Sequence, residues 1–228
     1  RFDAGQVVAT TTMYDHRQFD GLARLRRTTS ERQSIRLLFL SRMAIGKGAS
    51  ELVQVLARLA QAHPEVELEC AGDGEDRPRA EQLAAELGVT DRVSFRGFVS
   101  GEAKAQSLLD ADLFVLPTRL NEGLPVSLLE AMGAGLPIIA SGQGGIVDLF
   151  DQGAQGSMMS ATPEVDEIEV CLRGWIADPT RSRMAGEANR ALAMQKFSAS
   201  AWCDALGEDF LSLVAARGAC AGKAAAKR

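Results

Sequence analysis

The stretch ADLFVLPTRLNEGLPVSLLEAMGAGLPIIAS, residues 111–141, decides the fold. ADLFVLP (111–117) is a nearly continuous apolar run, the pattern of a strand buried on both faces. Pro125 can open a helix, and Gly135 with Pro137 can stop it. PIIAS (137–141) is a second short apolar run. Strand, helix and strand joined so tightly make a βαβ unit, whose two strands run parallel. The same stretch sets Glu122 just before the helix and Glu130 inside it, among Leu128, Leu129 and Met132. A carboxylate in so apolar a helix needs a partner: a salt bridge, or a pair of ligand hydroxyls.

Working outward, the alternation continues. IRLLFLS (35–41), VELECAG (66–72) and RVSFRG (92–97) are the patterns of strands. SELVQVLARLAQA (50–62, with Ser50 as N-cap), PRAEQLAAELG (78–88) and GEAKAQSLLD (101–110) are the patterns of helices. The expectation is an α/β fold: a doubly wound, Rossmann-like parallel sheet with helices on both faces. After residue 160 the pattern becomes helical, over about 163–177, 180–196 and 199–215. Ahead of residue 35, GQVVATTT (5–12) reads as a first strand and RLRRTTSERQS (24–34) as a loop. One domain over 1–217 is expected, with 1–34 as a lead-in and 218–228 as a mobile tail low in apolar bulk.

Bulk properties narrow the function. The 228 residues are 46% hydrophobic and 24% charged, ordinary values for a globular protein. A net charge of −5 argues against general nucleic-acid binding, and 5% aromatic residues against a base-stacking platform. Cys70, Cys171, Cys203 and Cys220 follow no metal-ligand spacing, so neither a zinc site nor a disulfide framework is expected. No apolar run reaches the ~20 residues of a bilayer span, and no leader pattern opens the chain. A cytoplasmic protein is expected, working as a peripheral protein at the inner face of the membrane if its acceptor is a lipid. A first residue that is Arg1 rather than Met reads as a piece of something longer.

In an open parallel sheet, ligands bind beyond the carboxyl ends of the strands. The suggestive residues fall there: Arg42 and Lys47 in SRMAIGKG, Gly72 and Gly74 in AGDGED, Arg96-Gly97-Phe98, Asn121-Glu122-Gly123, and Gly142, Gly144 and Gly145. Singly, each has a plain structural reading as a solvated charge or a turn glycine. Together they make a rim with cations, close backbone and the start of a helix. Such a start attracts phosphate through its free N–H groups and its dipole, and Arg42 and Lys47 can add charge-assisted bonds. Glu130, eight residues past Glu122, is a little over two turns away and projects to the same side. It can accept two hydrogen bonds from the vicinal diol of a ribose. Cations, helix start and diol acceptor describe a nucleotide diphosphate linked to something else.

These blocks, with SFRGFV and WIADPTRSRMAGEANR…KFSASAW, resemble in order and spacing the carboxyl-terminal domain of family 4 glycosyltransferases, over residues 35 to 205. That family has the GT-B architecture, two Rossmann-like domains facing a cleft. The resemblance implies that Arg42 and Lys47 bind the donor diphosphate and that Glu130 holds the ribose hydroxyls. Glu122 then lies by the donor sugar, a position that makes Glu122, Arg42 and Lys47 the reaction-centre residues. Gly123 and Leu124 supply backbone near sugar and phosphate; Arg96, Gly97 and Phe98 line the base slot; Gly72 lets the nucleotide lie close. It further implies retention of anomeric configuration, no metal ion and no cofactor beyond the nucleotide-sugar donor.

There are departures. Asp148 stands where the family has Glu, and TTTMYD (10–15) replaces Asn-Gly-Val-Asp. No amino-terminal half, the acceptor-binding domain, is recognisable. The isolated chain is therefore expected to bind nucleotide but transfer poorly, and the apolar face of the 199–215 helix to be exposed or covered in a homodimer. DAD (110–112) mimics the Asp-x-Asp metal motif, but at the amino end of its strand, away from the rim. His16 and His63 lack companion ligands, and Trp175 and Trp202 read as packing residues. Glycolipid or polysaccharide synthesis is the setting the resemblance implies. The alternatives are a nucleotide-sugar 2-epimerase, disfavoured by the scarcity of histidine, and a non-catalytic nucleotide-binding module. A dinucleotide oxidoreductase fits poorly, since no GxGxxG follows the first clear strand.

Overall fold

The structure, a computed structural model, describes residues 12–19 and 34–225, with side chains through Val214. Among these residues six parallel strands form one sheet: β1 (Ile35–Leu40), β2 (Val66–Ala71), β3 (Val93–Gly97), β4 (Leu113–Leu116), β5 (Ile138–Ser141) and β6 (Gly156–Met159). Their order is β3-β2-β1-β4-β5-β6. The order reverses between β1 and β4, and it is outside the carboxyl ends at such a switch point that a crevice opens.

The central strands are apolar for the reason their sequences suggest. All four residues of β4 and of β5 are buried, so both faces are covered. The cover comes from α1 (Ala49–Leu59), α2 (Arg77–Glu86), α3 (Gly101–Asp110), α4 (Val126–Gly133), α5 (Gly145–Asp151), α6 (Val165–Ile176) and α7 (Pro179–Lys196). On α1 the buried set Leu52, Val53, Leu56 and Leu59 recurs every three to four residues, a helical stripe pressed on the sheet. Pro179 opens α7, and the Asp178 carboxylate accepts from the Arg181 N–H at 2.9 Å, a side-chain cap.

Two expectations are corrected here. Ser50 does not cap α1: Gly48 occupies the cap position, and Ser50 lies inside the first turn. The sheet also does not end at residue 141. It continues through α5 to β6, whose residues are half-buried or exposed except Met159. As an edge strand β6 has no need of a continuous apolar run, which is why none announced it. It is fastened by Asn189 of α7, fully buried. Its side-chain oxygen accepts from the Gln155 N–H at 2.6 Å, and its amide donates to the Leu136 and Gln155 carbonyls at 2.8 Å each.

The lead-in is anchored by Tyr14. Its N–H donates to the Phe197 carbonyl at 3.0 Å, its carbonyl accepts from the Ala199 N–H at 3.1 Å, and its ring lies against Gly133 of α4. Burial pushes the Tyr14 hydroxyl up to about 12. The strand read in 5–12 and the loop read in 24–34 fall almost wholly outside the described residues. The last helix, α8 (Ala199–Ala225), runs through most of the segment read as a tail and exposes Phe210, Leu211 and Val214. At the opposite end of the sheet from the crevice, Asp112 accepts from the Arg36 N–H at 2.8 Å, and Asp110 pairs with the Arg36 guanidinium at 3.6 Å. The Asp-x-Asp pair thus ties β4 to β1.

Candidate functional site

The loops after β1 and β4, on either side of the switch point, are built into one another. The Arg119 N–H donates to the Gly46 carbonyl at 2.7 Å. The next loop over locks the first, with Met43 N–H on the Asp73 carbonyl (2.9 Å) and Asp76 N–H on the Met43 carbonyl (2.8 Å). Gly72 comes so close that a Cβ there would lie 1.9 Å from the Ser41 carbonyl oxygen, so no other residue fits. Gly72 also donates its N–H to the Gly97 carbonyl at 2.8 Å. Two glycines assigned to the nucleotide slot therefore meet at the ends of β2 and β3. Arg96 and Phe98 flank that junction and are exposed, Phe98 at 83%.

Glu122 is held from three directions. Its carboxylate pairs with the Lys47 ammonium, and both side chains are mostly buried (12% and 14% exposed). The same oxygen accepts from the Thr118 hydroxyl at 2.8 Å. Its backbone carbonyl accepts from the Gly145 N–H at 3.3 Å, in a contact so tight that a Cβ on Gly144 would lie 1.8 Å from that oxygen. Gly123 and Leu124 follow, then Pro125 in the extended conformation at the cap of α4. No side chain caps this helix and no acidic residue sits in its first turn; the Leu128 N–H turns back to the Pro125 carbonyl at 3.1 Å, and the Val126 and Ser127 amides are left to water or a ligand.

The start of α1, into which the Arg42–Lys47 loop leads, is different. Asp76, 3% exposed, already occupies it. Its two oxygens accept from the Ser50 hydroxyl at 2.8 Å and the Ser50 N–H at 3.2 Å. The start of α4 carries no such side chain. Arg42 is exposed, and its guanidinium has no hydrogen-bond or ion-pair partner among the described residues.

Glu130, a little over one turn into α4, is buried. Its Oε1 pairs with the Lys104 ammonium of α3 and accepts from the Gln18 side-chain amide at 3.4 Å. The Lys47–Glu122 pair and the open helix end thus lie at one point on the rim, and Glu130 follows deeper along α4. Thr118, Asp76, Lys104 and Gln18 do not stand out in the sequence as site residues. Thr118 alone left a trace, a hydroxyl directly after an apolar strand; Lys104 is one of several charges on a polar helix.

A parallel sheet of this order, with loops interlocked at its switch point, defines a Rossmann-like α/β domain. The model of glycosyl transferases group 1 matches residues 24–192, and the chain belongs to that family, as a carboxyl-terminal domain of the GT-B, family 4 type. A relative in Mycolicibacterium smegmatis, GDP-mannose-dependent alpha-(1-6)-phosphatidylinositol monomannoside mannosyltransferase, is 32% identical over 69% of this chain and 43% of its own length. The chain thus spans less than half of that relative. Among solved structures, sucrose-phosphate synthase from Thermosynechococcus elongatus superposes with a TM-score of 0.74 at 25% identity, covering 90% of this chain and 52% of that one. Anabaena HepE, solved with UDP and glucose, gives 0.74 at 23% identity, over 88% and 55%.

Proposed function

We propose that this chain is the donor-binding domain of a retaining glycosyltransferase that moves a hexosyl group from a nucleotide diphosphate sugar to an acceptor. The observation that carries the reading is the uncapped start of α4 beside the Lys47–Glu122 pair, with the Glu130 carboxylate further along the same helix. The diphosphate sits at the helix start, where amides and dipole attract it. Lys47, drawn from Glu122, and the unpartnered Arg42 supply the charge-assisted bonds. Thr118 keeps Glu122 in place when Lys47 leaves it.

Glu130 accepts from the ribose hydroxyls. Gly72, Arg96, Gly97 and Phe98 form the slot for the base, and Gly123 and Leu124 lie beside sugar and phosphate. Transfer is driven by stabilising the departing diphosphate, charge that grows as the glycosidic bond breaks. No side chain is assigned as nucleophile, and the positive charge at the site comes from protein groups, with no metal ion called for. The mannosyltransferase named above is GDP-mannose-dependent and is named for phosphatidylinositol monomannoside, which favours a lipid or polysaccharide acceptor at a membrane face. No helix among the described residues is long and apolar enough to cross a membrane itself. Acceptor binding belongs to a second domain, so the isolated chain binds donor and transfers poorly.

Isothermal titration of this chain with UDP and with GDP tests the reading. One of them binds, and Arg42→Ala, Lys47→Ala and Glu130→Ala each weaken it about 10-fold or more, the effect of losing a hydrogen bond to a charged group. Unchanged affinity in Lys47→Ala and Glu130→Ala removes the site.

A further inference from the structure

The Glu130 carboxylate is held unevenly. Lys104 and Gln18 reach the same oxygen, Oε1, from two separate pieces of the chain. Nothing among the described residues bonds Oε2. A carboxylate buried to this degree whose second oxygen had no partner would carry an uncompensated desolvation cost. Oε2, however, is not among the fully buried unpaired atoms, so it retains an opening.

We propose that Lys104, assisted by Gln18, is a positioning residue for nucleotide binding: by holding Oε1 it fixes the Glu130 carboxylate with Oε2 turned to the ligand's sugar hydroxyls. The inference rests on the ribose role given to Glu130 above. Without the two donors, the side chain of Glu130 has several rotamers to choose from, and the loss of that freedom is charged against binding. Lys104 lies on α3, the crossover between β3 and β4. It also links the base slot at the end of β3 to the ribose site on α4, so the two halves of a nucleoside meet a single rigid frame.

The test is a comparison of affinities on this chain by isothermal titration. The probes are UDP and GDP, each beside its 2′,3′-dideoxy form, and the proteins are wild type, Lys104→Met and Lys104→Arg. Wild type is expected to prefer the ribonucleotide by about 10-fold or more, since the lost bonds are to a charged acceptor. Lys104→Met is expected to lower that preference to about 2-fold or less through weaker ribonucleotide binding alone, and Lys104→Arg to restore most of it; such a coupling is what the four affinities of a double cycle isolate.

Equal loss for both ligand forms in Lys104→Met overturns the inference, because it shows a general structural role. An unchanged or larger preference overturns it too, because Lys104 is then a bystander or a competitor for Glu130. A wild type that does not distinguish the two forms overturns the ribose role of Glu130 itself, a different failure seen before any variant is made.

Discussion

Replacing Gly144 by alanine puts a methyl group where the backbone of Glu122 already is. The added Cβ would lie 1.8 Å from the Glu122 carbonyl oxygen, whereas real Cβ atoms are essentially never found under 3.0 Å, so one loop must move by at least ~1.2 Å. Gly144 also has φ 47 and ψ −127, a conformation costly for any residue with a Cβ, on the order of 1–3 kcal/mol. The Gly145 N–H bond to the same carbonyl, worth about 1 kcal/mol, stretches or breaks. The sum is a destabilisation of about 2–4 kcal/mol. At about 2–4 °C per kcal/mol for a chain of this size, the midpoint falls roughly 5–15 °C. Because the displaced atoms carry Glu122, nucleotide-sugar affinity falls with stability.

The assay is thermal and urea unfolding followed by tryptophan fluorescence, with Gly174→Ala as control. Gly174 lies within α6, with nothing within 4 Å of a built Cβ, so alanine there is neutral or stabilises by about 0.5–1 kcal/mol. If Gly144→Ala unfolds with wild type while Gly174→Ala is the damaging change, the interlocked-loop reasoning is wrong.

Two other perturbations have signed outcomes. Tyr14 is the chain's single tyrosine, so ultraviolet absorbance of tyrosinate reads it directly, and the folded protein should titrate near 12. Since its pKa is raised on folding, the associated stability is intact below about pH 10 and is lost as pH rises from there through 12, by about 2–3 kcal/mol. Tyr14→Phe should flatten that alkaline decline, and a folded-state titration near 10 would contradict the burial argument. Asp76→Ala strands the buried Ser50 hydroxyl and N–H and should cost about 2–4 kcal/mol, while Asp76→Asn, which keeps an acceptor, costs less than half of that. An alanine variant within about 0.5 kcal/mol of wild type would remove Asp76 as the partner of the α1 start.

The parts of the fold legible in the sequence are those whose burial is two-sided. β1 and β4 lie at the centre of the sheet, and their apolar runs announce them. β6 is an edge strand covered on one side, and its Gly-Ser-Met-Met is not distinguishable from a loop by composition. Ser50 looks like a cap in the sequence because the cap rule assumes a local partner, whereas its hydroxyl donates to Asp76, which comes from another loop. The same limit applies at the site. Arg42, Lys47, Glu122 and Glu130 stand out as charges at strand ends or in an apolar helix. Lys104 and Gln18 meet Glu130 only through the fold, from 26 and 112 residues away.

The most direct test of the account is a crystal structure of this chain with UDP or GDP, whichever binds. The account places the diphosphate within hydrogen-bond reach of the α4 leading amides and of Lys47, with a ribose hydroxyl on Oε2 of Glu130. A nucleotide bound away from α4, or one whose ribose leaves Glu130 untouched, would contradict it.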